Sequence, residues 1–369
     1  MLKKMKKNIL YLTRTMGLGG TEKVILQLCE NLNDEFNKIV VCSSGGIHES
    51  KLDEIGIRHY KIPDFENKSF GNIIKTIKII KKIIKDENID IVHTHHRMAA
   101  FYTSLINRNK NVIQVHTAHN TFFDKKRLTN FALNNVNIIA VGNKVKDNLI
   151  DYYGLCKDNV SVIYNGIEED KNNYPQIPEL KEVTENGYFL VGNIGRLSEQ
   201  KGMKYFIEAC SQVKKNFENI KFCIAGDGEL KDELINYSKK LNVYDDILFL
   251  GYRNDISNVI SHCDLIVLSS LWEGLPLTPI EVFMRKKTIV ATNVDGTPEI
   301  VKDNFNGLLV DSKNSSEISK AIIKIYENIN LKEKFEKNAY KTYIDNFTIE
   351  EFADKYLKYY MNLIRLYHI

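Results

Sequence analysis

Two carboxylates, Glu273 and Glu281, lie eight residues apart in the run from Ser269 to Arg285. Before them, Asp264-Leu-Ile-Val-Leu268 is a continuous apolar stretch of the kind that forms a buried parallel strand. After them, Ile280, Val282, Phe283 and Met284 open a helix, with Thr278 at the expected N-cap and Pro279 at the first helical position. Glu273 therefore belongs to a strand-to-helix loop, which faces the ligand crevice in an open α/β sheet. Gly274 and the Leu-Pro that follows let backbone N–H groups approach a ligand closely, beside the single Trp of the chain, Trp272. Each acid also has a plainer reading. Thr278-x-x-Glu281 is a capping box, and Glu273 a solvated loop acid.

Two cations come earlier, in Gly195-Arg196-Leu-Ser-Glu-Gln-Lys201-Gly202, between an apolar run and the helical stretch from Met203 to Val213. An Arg fork and a Lys point charge on one crevice-facing loop suit a diphosphate; ordinary surface charge is the alternative. Histidines cluster twice, in His93-Thr-His95-His96 and His116-Thr-Ala-His119, each after an apolar run. Metal binding is open to them by residue type. Their spacing fits no standard zinc pattern, and no acid lies close by in sequence. Near the start, Gly17-Leu-Gly19-Gly20-Thr21-Glu22 reads as a turn into a helix that Thr21 can cap, and such a helix start attracts phosphate. A dinucleotide fingerprint needs Gly where Glu22 stands, which argues against a nicotinamide dehydrogenase.

The elements that hold these residues alternate strand and helix throughout, so the class is α/β with parallel sheets. Strands are expected over 8–14, 38–43, 58–62, 89–93, 112–116, 136–141 and 160–164. After a polar break they follow over 188–195, 220–225, 247–251, 264–269, 288–293 and 307–310. Helices are expected near 21–32, 71–87, 97–107, 126–134 and 143–153. The organisation read from this is a first domain over 1–168, a linker over 169–187 containing Pro175 and Pro178, a second domain over 188–346, and a Tyr-rich closing helix over 347–369.

At 369 residues, with 43% hydrophobic and 27% charged residues, the chain suits two globular domains. It has no apolar run of membrane-spanning length, and its basic start carries too short an apolar stretch for a signal peptide. Six dispersed cysteines without a C-x-x-C fit reduced core residues in the cytoplasm. The net charge of +4 divides into +6 over residues 1–170 and −2 over the rest. That excess suits an anionic acceptor or the inner membrane face; a solvated surface explains it equally well. The isoleucine stripe at 73, 77, 80 and 84, with lysines elsewhere, marks a core-facing helix with a basic outer face, and secondarily a membrane-surface helix.

Glu273-Gly-Leu-Pro…Glu281 resembles the E-x7-E signature of the retaining glycosyltransferases of family 4. These have the GT-B fold, two Rossmann-like domains with parallel sheets facing a central cleft. The resemblance covers nearly the whole chain. It implies that Glu281 binds the ribose hydroxyls of a nucleotide-diphospho-sugar and that Glu273 lies by the donor sugar. The backbone of Leu275, Pro276 and Leu277 would meet the sugar and diphosphate. Arg196 and Lys201 match the family's diphosphate clamp, and Gly19 and Gly20 its glycine loop facing the same diphosphate. The segment with Tyr252 and Arg253 is similar to the one whose backbone reads the nucleobase. His119 would lie near the donor sugar, and His95 on the acceptor side. Asp295-Gly-Thr-Pro-Glu299 is similar to the family's Gly-x-Pro-Glu loop, which usually has Gly where Asp295 stands; no chemistry is assigned to Asp295.

The function implied is sugar transfer from a nucleotide-diphospho-sugar, UDP-linked by expectation, to a glycan or lipid-linked glycan acceptor in bacterial surface polysaccharide synthesis. No nucleic-acid partner is expected. The chain has no Asp-x-Asp triplet, so no metal cofactor is expected, with Arg196 and Lys201 supplying the positive charge instead. Two other readings share the fold: a sugar-nucleotide 2-epimerase, which needs acids where the histidines stand, and a non-catalytic nucleotide-sugar-binding protein, which would show no turnover.

Overall fold

The computed structural model describes residues 6–67, 69–107, 112–169 and 174–367. They form two compact units. One comprises the chain to Gly166 together with Ile349–Ile369; the other is Ile167–Thr348.

The first unit is built on a parallel sheet of seven strands: β1 Asn8–Leu12, β2 Lys38–Ser43, β3 Arg58–Lys61, β4 Ile91–Thr94, β5 Ile113–Ala118, β6 Asn137–Ala140 and β7 Val160–Val162. Their spatial order is β3-β2-β1-β4-β5-β6-β7. The strands are Val/Ile-rich on both faces because helices cover both. Along β1, Ile9 and Tyr11 enter one core with helix Gly20–Leu32 and the closing helix Ile349–Leu366. Leu10 and Leu12 point the other way, into a core with Ile80, Ile83 and Tyr102. Helix Phe70–Asp86 turns its isoleucine stripe to that core and its lysines to solvent, the first of its two expected readings.

The second unit has a six-stranded parallel sheet: β8 Phe189–Ile194, β9 Ile220–Ala225, β10 Ile247–Gly251, β11 Leu265–Leu268, β12 Ile289–Thr292 and β13 Gly307–Val310, ordered β10-β9-β8-β11-β12-β13. Val191, Phe222, Leu265 and Val290 pack with Phe206, Ile207, Cys210 and Val213 of helix Met203–Lys214. In each sheet the order reverses once, between β1 and β4 and between β8 and β11. Such reversals are where open α/β sheets receive ligands, at the carboxyl ends of the strands.

Three expectations change. Within the stretch read as a linker, Pro178–Glu185 is a helix; residues 170–173 lie outside the described residues. Pro178 presets the first helical φ, and Leu180 alone buries its side chain, so two turns leave no readable periodicity. The helix after Glu273 starts at Leu277 with Pro276 as N-cap and no side-chain cap, not at Pro279 behind Thr278. Pro279 fits the third helical position because its missing N–H would have had no partner there. Likewise, Gly19 rather than Thr21 is the N-cap of helix Gly20–Leu32. The closing helix is described over Ile349–Leu366; the end of its expected span, 368–369, lies outside the described residues.

Candidate functional site

In the second unit the residues expected to do chemistry gather where β8 and β11 end side by side. β8 runs into Gly195 and Arg196, then a short 3-10 turn, Glu199–Lys201, and helix Met203–Lys214. Gly202 at this junction has φ +58, and a Cβ there would lie 2.2 Å from the Ser269 carbonyl oxygen. Only glycine lets the two loops touch. The contact is fastened by Ser269 Oγ donating to the Lys201 carbonyl at 2.9 Å, and by Asn193 Nδ2 donating to Ser269 Oγ at 2.9 Å. Leu271 N donates to the Gln200 carbonyl at 2.7 Å. Gln200 Nε2 donates to the Trp272 carbonyl at 3.0 Å.

Across that seam Lys201 Nζ lies 2.6 Å from Glu273 Oε1. Ser270 Oγ donates to the same oxygen at 2.7 Å. Glu273 is 8% exposed, so its charge is held by a full cation and a hydroxyl in a nearly dry place. The guanidinium of Arg196, by contrast, stands exposed and makes no ion pair among the described residues. Lys201 is thus paired with Glu273, while Arg196 is left as an exposed cation on the same loop.

Asp295 has a role that the sequence did not reveal. Its Oδ2 accepts from the Glu273 amide at 2.8 Å. Beside it Gly296 N donates to the Gly274 carbonyl at 3.0 Å, where a Cβ would come within 2.0 Å of that oxygen. Asp295 itself has φ +41, a conformation that Asp and Asn tolerate better than most residues. The departure from the Gly-x-Pro-Glu pattern is therefore a second strap on the Glu273 loop. Ser270, Gln200 and Asn193 were also missed. Each lies inside or next to a quoted motif, but which loop it would reach is set by strand order.

Among Leu275, Pro276 and Leu277, Pro276 has no N–H, so the amides that can meet a ligand here belong to Leu275 and Leu277. Glu281 is the fifth residue of helix Leu277–Met284, so its expected capping role falls away. Tyr252 is 60% exposed just after β10. Arg253 is gripped by Asp255 through two bonds of 2.8 and 2.6 Å, and Asp255 accepts from Asn258 at 3.0 Å. This side chain fixes its own loop.

In the first unit, His93 ends its reach inside the core, one ring nitrogen 2.5 Å from Tyr360 Oη and the other 2.7 Å from Thr117 Oγ1. The His93 ring lies against that of His95 at 4.3 Å, tilted by 33°, and His95 bonds through Nδ1 to His119 Nε2 at 3.0 Å. His116 Nδ1 meets Thr94 Oγ1 at 2.9 Å, and His96 Nδ1 accepts from Met98 N at the start of helix Arg97–Ile106. A cavity of about 210 Å³ at the ends of β4 and β5 is lined by His95, His119, Asn120, Arg97 and Thr21. Burial keeps these imidazoles neutral: it lowers His119 to about 4 and His116 to about 3, and holds His93 and His95 well below the usual value. Among the described residues no group of three or more His, Cys, Asp or Glu is arranged to hold a metal ion. Gly19, in extended backbone, and Gly20 open helix Gly20–Leu32, where Thr15 Oγ1 donates to Glu22 at 2.7 Å.

Comparison with known proteins agrees with this architecture unit by unit. Residues 18–171 match the profile of Glycosyltransferase Family 4, and residues 177–342 that of Glycosyl transferases group 1. An Escherichia coli protein, UDP-Gal:alpha-D-GlcNAc-diphosphoundecaprenol alpha-1,3-galactosyltransferase, is 30% identical over 371 residues, covering 94% of this chain and 95% of its own. The chain belongs to glycosyltransferase family 4. Solved structures give this glycosyltransferase the same fold. A Rickettsia africae glycosyltransferase superposes with a TM-score of 0.85 at 24% identity, covering 97% of this chain and 99% of the other. Anabaena HepE, in complex with UDP, superposes with 0.85 at 19% identity, over 96% and 100%. The fold is therefore GT-B.

Proposed function

We propose that this glycosyltransferase moves a hexosyl group, with retention at the anomeric carbon, from a UDP-sugar to a lipid-linked or glycan acceptor in the synthesis of a bacterial surface polysaccharide. The observation that carries the reading is the Lys201–Glu273 pair at the sheet reversal, flanked by the exposed cation of Arg196. A leaving diphosphate gains negative charge as the glycosidic bond breaks, and Arg196 and Lys201 stabilise it without a metal ion. Glu273, tied down at both its amide and its carboxylate, meets the donor sugar. The ribose falls to Glu281, and the base to the backbone at Tyr252 and Arg253. In the first unit the resemblance assigns Gly19 and Gly20 to the diphosphate and His119 to the donor sugar. The Escherichia coli relative, named for UDP-galactose and a diphosphoundecaprenol-linked acceptor, supports the donor and acceptor classes.

A peripheral membrane contact fits the same reading. Phe123, Phe131, Leu128 and Phe122 are exposed around helix Lys126–Leu133, interleaved with exposed Lys125, Lys126 and Arg127. Aromatic and basic residues mixed in this way suit an anionic lipid surface. No helix among the described residues is long and apolar enough to cross a membrane.

The test is donor hydrolysis by the purified protein across a panel of nucleotide-diphospho-sugars, followed by transfer to a diphospho-polyprenyl-linked sugar. Turnover of a UDP-hexose is expected, with the α-linked product. Binding without turnover for every donor and acceptor would overturn the enzymatic assignment.

A further inference from the structure

We propose that His95 is a positioning residue that fixes the tautomer of His119, so that His119 offers its Nδ1 as an N–H donor. This role for His119 rests on the glycosyltransferase reading above; the tautomer itself does not. The argument starts from one atom. His95 Nε2 is buried and has no hydrogen-bond partner among the described residues. The other nitrogen of that ring, Nδ1, lies 3.0 Å from His119 Nε2. One proton must sit between the two rings, and there are two ways to place it.

If His119 Nε2 carries the proton, His95 Nδ1 accepts it and the proton of His95 moves to Nε2. That would bury an N–H with nothing to receive it, which folded proteins avoid more strictly than a buried acceptor left unmet. If His95 Nδ1 carries the proton, it donates to His119 Nε2, and the unpartnered atom is a lone pair. The second arrangement costs less. His119 then has its own proton on Nδ1. Burial keeps both rings neutral, so no third arrangement with an extra proton competes at neutral pH.

His95 is itself held rigidly. Its ring packs against His93 at 4.3 Å in a tilted arrangement and meets Tyr11 edge-on at 5.8 Å. His93 is pinned at both nitrogens, by Tyr360 and by Thr117, and Thr117 Oγ1 is 3.2 Å from Tyr356 Oη. Tyr356 and Tyr360 belong to the closing helix Ile349–Leu366. The orientation of His119 is thus set from the C-terminal helix through three side chains. An N–H at Nδ1 suits a sugar hydroxyl or a phosphoryl oxygen as acceptor, whereas a lone pair there would call for a donor.

The deciding measurement is long-range ¹H–¹⁵N correlation spectroscopy of the ¹⁵N-histidine-labelled protein at neutral pH. The His119 ring is identified among the nine histidines by loss of its signals in His119→Gln. Protonated Nδ1 and bare Nε2 are expected for both His95 and His119. A proton on Nε2 of His119 would overturn the proposal, whatever the catalytic activity. In His95→Leu the His119 tautomer should become mixed and kcat should fall by about tenfold, as for one lost hydrogen bond. His95→Asn, whose amide nitrogen can take the place of Nδ1, should restore both the tautomer and most of kcat. An unchanged His119 tautomer in His95→Leu would also defeat it, and if that variant does not fold, the wild-type spectrum still decides. Absence of transfer by the wild-type protein would count against the function proposed above, not against this assignment.

Discussion

Lys201 Nζ and Glu273 Oε1, 2.6 Å apart, join the loops that leave β8 and β11, the two strands on either side of the sheet reversal. Two residues separated by 72 positions in sequence thus form one charge-neutral unit. Removing one partner strands the other. Lys201→Met should destabilise the protein by about 3 kcal/mol, because a nearly dry carboxylate loses its cation. Adding Glu273→Gln should recover most of that loss. Urea unfolding of the two single variants and the double variant closes the cycle; strictly additive effects would show that the pair is not coupled. Transfer activity should be low in all three.

Arg196 should behave differently because nothing in the fold depends on it. Arg196→Ala should leave the melting temperature within about one degree, as exposed substitutions do. It should lower kcat/KM roughly a hundredfold, on the scale of losing one charge-stabilising donor. Transfer by the wild-type protein should persist in EDTA. Activity abolished by EDTA and restored by Mg²⁺ or Mn²⁺ would assign the diphosphate charge to a metal instead.

Glu281 can now be tested without the ambiguity of a capping role, since Pro276 is the N-cap of its helix. A carboxylate accepting two ribose hydroxyls loses charge-assisted bonds in Glu281→Gln, each worth about 1.5–3 kcal/mol at most. Affinity for UDP should fall, and the preference for UDP over its 2′-deoxy form should shrink. Calorimetry with both nucleotides and both proteins measures this, and the same affinity in all four pairings would remove Glu281 from the ribose.

The histidines of the first unit make a prediction about acid. Their folded values are lowered, His119 to about 4 and His116 to about 3, against an unfolded value near 6.5. Below about pH 6.5 the unfolded chain therefore binds protons that the folded chain refuses. The stabilisation is complete above that pH and is lost as pH falls from about 6.5 towards 4. Each such histidine removes up to about 1.4 kcal/mol per pH unit within this window. Buried Glu87, lowered to about 2 by Lys38 and Tyr60, stabilises the fold at neutral pH, and that stabilisation is lost only as pH falls from the ordinary Glu range towards 2. Urea midpoints from pH 7.5 to 4.5 should fall accordingly, and His116→Asn should flatten the slope. A midpoint constant over this range would contradict the neutral, buried state.

Much of this was legible in the residues. Strand and helix alternation placed the parallel sheets because each strand is a short apolar run between helices of clear periodicity. Glu273, Arg196 and Lys201 were singled out by the loops they sit on, each between an apolar run and a helix, and by their match to the family's motifs, although surface charge alone could also have placed them there. Asp295 stayed hidden because its bond to the Glu273 amide depends on β12 lying beside β11, a fact of topology rather than of local sequence. The His95–His119 bond was hidden for the same reason, since adjacent strands bring together residues 24 positions apart. Thr278 misled because a capping-box pattern and the true cap differ by two residues, and Pro276 fixes the backbone there more firmly than Thr278 can.

The closing helix has a consequence for how the protein is made. Ile349–Leu366 supplies Phe352, Tyr356, Tyr360 and Leu363 to the core around β1, yet it follows the whole second unit along the chain. The first unit, although begun first, cannot complete its core until the closing helix has been made. The second unit, contiguous in sequence, has all its strands available earlier. A nascent chain stalled before Ile349 would therefore carry a finished second unit beside a first unit whose Tyr11 and His93 face water. A stop codon at Ile349 would yield a protein that chaperones and proteases treat as incomplete.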